Sequence, residues 1–304
     1  MELTWINKLR IAAVAALGIV VIGLLAWPLA APVDPLSPVR AWSISPFGTM
    51  TLLILAFGLG FAGYFAAWPH GREIGILAVP FGLMVWAGRS GPMRMLTQAS
   101  NQPAEREALA SSLRFEPLYW LLIVAAGFAG VLLAQRLRGR VREEGKNIGT
   151  KEGTSEKGAQ ALSFLPAGCA VAATVLLAHF LVGVFAQNVA TSHNVATTQP
   201  QIGQIVFGVL CAFAVAGFLI KKFTNLSYVW PAIGSALLTG FAELIYGNAQ
   251  LVRQFAETRP ATFFPHSSLT ILPVQFVVLG TLGSILGYWM AVRYEWWRKN
   301  DSGL

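Results

Sequence analysis

Glu243 is the one carboxylate that falls well inside an apolar stretch of this 304-residue chain. An ionised group at membrane depth costs a few kcal/mol or more unless it is paired or hydrated, so such a residue marks a site by default. It lies about 22 Å along a helix from Tyr228, towards the far end of its segment. Gly247, Gln250 and Gln254 follow at helical spacing. The earlier segment that starts near Pro80 carries Arg89 and then Arg94, Gln98 and Asn101 at i, i+4 and i+7. Two amide-and-charge stripes of this kind can hydrogen-bond a polar solute or line an ion path. Arg89 and Arg94 are the expected partners of Glu243. Gly91-Pro92 permits a kink in the first stripe, whereas the second is expected to run straight.

Other reactive side chains are scattered. His179 lies alone in mid-segment, His193 and His266 fall in outer connections and His70 in an inner one. No two are spaced as haem or metal ligands on neighbouring turns, and neither metal nor cofactor is expected. Cys169 and Cys211 lie in apolar segments at similar depths, which suits small packing residues better than a disulfide or a metal site. Arg106, Arg114, Arg253 and Arg259 gather on the outer side, where arginines can grip phosphate or carboxylate bidentately. Glu105, Glu107, Glu116 and Glu257 are close enough in sequence to neutralise them. Phosphate loops, zinc-protease motifs, nucleophile elbows and dinucleotide fingerprints are all missing, so no catalytic residue is assigned. An enzyme is the less favoured class.

The elements that must position these groups are membrane helices. The chain is 55% hydrophobic and 12% charged, with a mean hydropathy of +0.58. That is about half the charged share of a soluble domain. Eight apolar segments stand at 10–31, 47–68, 74–91, 117–135, 161–186, 202–220, 228–246 and 268–292. Their length and unbroken apolarity indicate spanning helices and not barrel strands. The first is long for a signal peptide and is expected to be retained. Tryptophans cluster near segment ends, as interfacial anchors do.

Fifteen of the 22 Lys and Arg residues fall on the connections that share a side with both termini. This places the termini in the cytoplasm of a cell-membrane protein. The net charge of +8 is then orientation and anionic-lipid contact, above all along the Arg136–Lys157 loop, and not nucleic-acid binding.

That loop divides two similar halves. A shift of 156 residues brings Gly91 onto Gly247, Ser111-Ser112-Leu113 onto Ser267-Ser268-Leu269 and Pro117 onto Pro273. Nearer the start the shift is 151 to 152, with Pro80 on Pro231. The expected architecture is all-α: two parallel four-helix repeats, 1–142 and 161–304, joined by a cytoplasmic linker at 143–160. An even number of spans per half sets the pseudo-two-fold axis along the membrane normal. Small-residue pairs Gly58/Ala62, Ala126/Gly130 and Gly283/Gly287 are expected at helix contacts. The leading functional expectation is a transporter of a small solute or ion with an outward polar vestibule. Its path candidates are Glu243, Arg89, Arg94, Gln98, Gln250 and Gln254. The alternatives are an accessory or scaffold subunit, with membrane-protein partners or as a homo-oligomer, and an enzyme acting on a lipid-linked phosphate.

Overall fold

A computed structural model describes residues 4–100, 102–144, 164–187, 199–258, 264 and 266–301. Asn101, His193, Arg259, most of the linker and the loop before Gln199 lie outside them. The described chain is all-helical, as lipid demands, because a helix satisfies its backbone hydrogen bonds within the segment.

Helix α1 (Trp5–Gly18) widens into a π-helical stretch at Ile19–Leu25, and α2 covers Pro46–Ala66. Next come α3 (Gly71–Gly75), α4 (Ala78–Arg89) and α5 (Met93–Ala99), with a bend of 47° at Ser90–Pro92. Then come α6 (Pro103–Leu113), α7 (Glu116–Glu144), α8 (Phe164–Phe185) and α9 (Ile202–Thr224). Helices α10 (Val229–Tyr246), α11 (Ala249–Thr258) and α12 (Pro273–Asp301) complete the chain. Among the described residues, seven helices are long and apolar enough to cross a membrane, or eight if the bent pair is one span. The first lies some residues earlier than its apolar run suggests, at Trp5–Leu25, because polar Asn7, Lys8 and Arg10 fit its first turns.

The helices group into two compact units. The first comprises Met1–Trp27, Pro46–Val85 and Leu122–Cys169; the second comprises Pro28–Ser45, Trp86–Leu121 and Ala170–Leu304. In the first unit α2 crosses α7 with backbone against backbone. A Cβ on Gly60 would overlap the carbonyl of Gly127, and one on Gly130 would overlap the carbonyl of Phe57. Only glycine permits that approach. Helix α1 meets α4 where a Cβ on Gly82 would come within 2.7 Å of the Ile22 Cβ. Gly58 faces open space, and Ala62 is exposed, so this expected contact pair does not pack.

In the second unit α9 crosses α12 at the same kind of place. A Cβ on Gly217 would strike Ser284, and one on Gly287 would strike the carbonyl of Ala214 and approach the Phe218 nitrogen to 2.8 Å. Helix α8 meets α10 where a Cβ on Gly234 would come within 2.8 Å of the Thr174 Cγ2. Each contact has its counterpart in the first unit. Phe57, Gly60, Gly127 and Gly130 lie 157 residues before Ala214, Gly217, Ser284 and Gly287; Ile22 and Gly82 lie 152 before Thr174 and Gly234.

Candidate functional site

The second unit carries the polar chemistry, at the end where α4 stops and α12 starts. Buried Ser267 and Ser268 lead into α12, whose run from Pro273 to Ile285 is buried throughout. Pro273 opens the helix, where its missing N–H costs nothing. Two residues on, the Gln275 side chain accepts from the Leu272 N–H (3.3 Å) and donates to the Ala87 carbonyl (3.3 Å). Ala87 lies in the last turn of α4, where carbonyls lack helical partners, so the amide satisfies an end that the Gly91-Pro92 break creates. The Ser90 hydroxyl accepts from the Val39 N–H at 2.9 Å, and Arg94 N–H donates to Gln199 Oε1 at 2.7 Å. Between these groups lies a cavity of about 220 Å³ lined by Ser90, Met93, Gln199, Ile205, Thr270 and Gln275 among others. Among the described residues its lining holds no ionisable side chain.

Ion pairs occupy the neighbouring surface. Glu116, wholly buried in the first turn of α7, accepts from Arg40 Nε (2.9 Å) and from the Ala41 N–H (2.8 Å), while Arg40 also donates to Ser112 Oγ. A carboxylate at a helix N-terminus also faces the positive end of the helix dipole. Glu243 pairs with Arg114 at 3.4 Å, a charge contact without an aligned hydrogen bond. Arg253 stands 4.0 Å from Glu107 on the surface. Arg40, Arg114 and Arg253 thus each face an acid.

The path residues expected from sequence do not converge. Glu243 has Arg114 as its partner, not Arg89 or Arg94, which are both exposed. Gln98, Gln250 and Gln254 are exposed as well. The second stripe does not run straight: α10 is capped at Gly247, and Asn248 starts α11 by accepting from the Gln250 N–H at 3.1 Å. That break takes Gln250 and Gln254 off the face that carries Glu243.

One cluster had no signal in sequence. His179 and His266 stack with ring centroids 4.0 Å apart, Tyr246 stacks on both, and His179 Nε2 lies 3.3 Å from the Tyr246 hydroxyl. His266 Nδ1 accepts from the Ser268 N–H at 3.2 Å. Its ring fits only because Gly183 has no Cβ, which would sit 2.8 Å from His266 Nε2. Burial, and then the neighbouring His179, lower the His266 pKa to about 4. Among the described residues no three His, Cys, Asp or Glu side chains are placed to hold a metal ion, and Cys169 and Cys211 are free thiols.

No family model, no curated protein and no solved structure matches this chain.

Proposed function

We propose that the chain is a transport-type cell-membrane protein, built by duplication of a four-helix unit and oriented with both termini in the cytoplasm. The constant offsets of the helix contacts, 152 for helices one and three and 157 for two and four, support the duplication. So do matching helix starts, Pro46 with Ile202 and Met93 with Ala249, both at 156. Copies with four spans each are parallel, related about the membrane normal. The halves are 1–142 and 161–304, with 143–160 as the linker between them. The Lys and Arg distribution supports the orientation.

The cavity at the interrupted third helix carries the functional reading. Broken helices with freed backbone groups at a polar cavity are a recurrent way to hold a solute in a membrane. Its uncharged lining suits a small neutral hydrogen-bonding solute. Proteoliposomes tested by stopped-flow light scattering with urea and glycerol should shrink and recover faster than protein-free vesicles, and Gln275→Leu should abolish the gain. Equal rates for both solutes with and without protein would remove this reading. Labelling of Ser155→Cys and Ser192→Cys from opposite sides checks the orientation, and labelling of both from outside would overturn it.

A specific observation favours a second reading, that of an accessory subunit in a membrane complex. Arg89, Arg94, Gln98, Gln250 and Gln254 all present exposed side chains instead of lining the cavity. A stoichiometric protein partner in mild-detergent purification from native membranes, together with no solute flux, would select it.

A further inference from the structure

We propose that the basic end of α9 and α12 is a binding surface for anionic phospholipid headgroups. Helix α12 has 29 residues, roughly 43 Å at 1.5 Å per residue, against a hydrocarbon core of about 30 Å. Its last turns therefore reach headgroup depth beside the end of α9. Five cations meet there, Lys221, Lys222, Arg293, Arg298 and Lys299, and the same stretches offer two carboxylates, Glu295 and Asp301.

The way these cations are held differs from the opposite end of the unit. There Arg40, Arg114 and Arg253 each face a carboxylate. Here, among the described residues, no carboxylate is in ion-pair contact with Lys222, Arg293 or Arg298. The Lys222 ammonium lies over three rings instead, Tyr294 at 5.1 Å, Phe223 at 5.4 Å and Phe218 at 5.9 Å, and Arg293 lies over Trp297 at 5.1 Å. Lys221 is engaged by the Asn225 side-chain oxygen. Aromatic faces orient a cation without neutralising it, so its charge remains available to a phosphate. Arg298 follows Tyr294 by four residues and shares its face, which brings it to the Lys222 side of α12. Phe223, Trp296 and Trp297 are 74%, 47% and 53% exposed, as side chains seated among headgroups are. Arg298 and Lys299 also complement the carbonyl end of α12. Lys222 does the same for the carbonyl end of α9, Arg293 stands outside both last turns, and a lipid phosphodiester is the anion that this depth supplies.

The full-length protein is equilibrated in mixed micelles holding equal phosphatidylglycerol and phosphatidylcholine, and retained lipid is counted by native mass spectrometry. The wild type should retain phosphatidylglycerol in preference. Lys222→Gln with Arg298→Gln should lower that preference about fivefold per cation, equivalent to ~1 kcal/mol each. The exchange Lys222→Arg with Arg298→Lys should keep it, and so should Arg253→Gln at the opposite end. Where the double variant does not fold, by circular dichroism, Lys222→Gln alone carries the test with a fivefold fall. A wild-type ratio near one, an unchanged ratio after neutralisation, or an equal fall from Arg253→Gln would each overturn the proposal.

Discussion

The crossing of α2 over α7 and the crossing of α9 over α12 involve residues 157 positions apart; the stretches that lead into α7 and α12 share Ser-Ser-Leu and a proline, yet the polar side chains that serve those helix ends differ. Helix α7 opens on a buried carboxylate held by Arg40 and the Ala41 N–H. Helix α12 opens on a neutral amide, Gln275, which serves the Leu272 N–H and the Ala87 carbonyl. Where backbones touch, any added atom collides, and sequence change is confined to the smallest residues. At the ends, an orphan N–H or carbonyl accepts any partner of the right polarity, so charge and amide are both solutions. The amide solution leaves an uncharged cavity beside it; the charged one leaves a closed ion pair.

The largest expected effect tests the charged end. Glu116→Leu should strand Arg40, which is only 19% exposed, and cost roughly 3–5 kcal/mol of folding stability, as a broken buried pair does. Chemical unfolding in mild detergent measures it. Glu116→Gln keeps an acceptor for the Ala41 N–H and should cost less; equal losses would mean that packing and not charge matters there.

Next come the two crossings. Gly130→Ala and Gly287→Ala should each cost about 1–3 kcal/mol through overpacking, and by similar amounts if the crossings are equivalent. Gly58→Ala, with nothing within 4 Å of its Cβ, serves as the control and should be neutral or mildly stabilising. A clear loss at one crossing and none at the other would break the parallel.

Smaller again is the Glu243–Arg114 pair. Arg114 is 44% exposed, so a cation stranded by Glu243→Leu can turn to water, and the cost should be about 1 kcal/mol or less. A loss as large as that of Glu116→Leu would show Glu243 to be the deeper charge.

The last effect is pH-dependent. His266 titrates near 6.5 when unfolded and near 4 when folded. The unfolded chain therefore binds more protons between those values, and the contribution of this residue, present above pH 6.5, should fade as pH drops towards 4. Melting temperatures of the wild type and His266→Asn, compared at pH 7 and 4.5, should converge at the lower pH. Asparagine keeps an acceptor for the Ser268 N–H and does not titrate.

Much of the helical layout was legible because continuous apolarity is a local property. The spans over α2, α9, α10 and α12 follow from it, as does the break that Gly91-Pro92 imposes after α4. The break at Gly247–Asn248 was not legible, since neither residue forbids a helix and the side-chain oxygen of Asn248 decides it locally. Pairings were harder still. Arg114 meets Glu243 across 129 positions, and His179 meets His266 across 87, so both depend on how helices are set side by side. Gly183, which makes room for His266, looks like any other small residue in an apolar run. Of the candidate site, sequence supplied the helix break, but not the pairing of Arg114 with Glu243 or of Arg40 with Glu116, nor the cavity that Thr270 and Gln275 line.

The alternating offsets have a consequence for tolerance to insertion. The contact residues of α1 with α4 and of α8 with α10 lie 152 positions apart, and those of α2 with α7 and of α9 with α12 lie 157 apart, so the difference arises between the two kinds of contact and not within either. Between α2 and α4 the chain forms the short helix α3, whereas between α9 and α10 it passes from Thr224 to Val229 directly. Each pair of alternate helices behaves as a lock and key whose fit is indifferent to the length of thread joining them. Residues spliced in between Asn225 and Tyr228 should therefore leave both contacts of the second half intact, whereas a single residue inserted between Ala214 and Gly217 should turn the key by 100° and lose the fit.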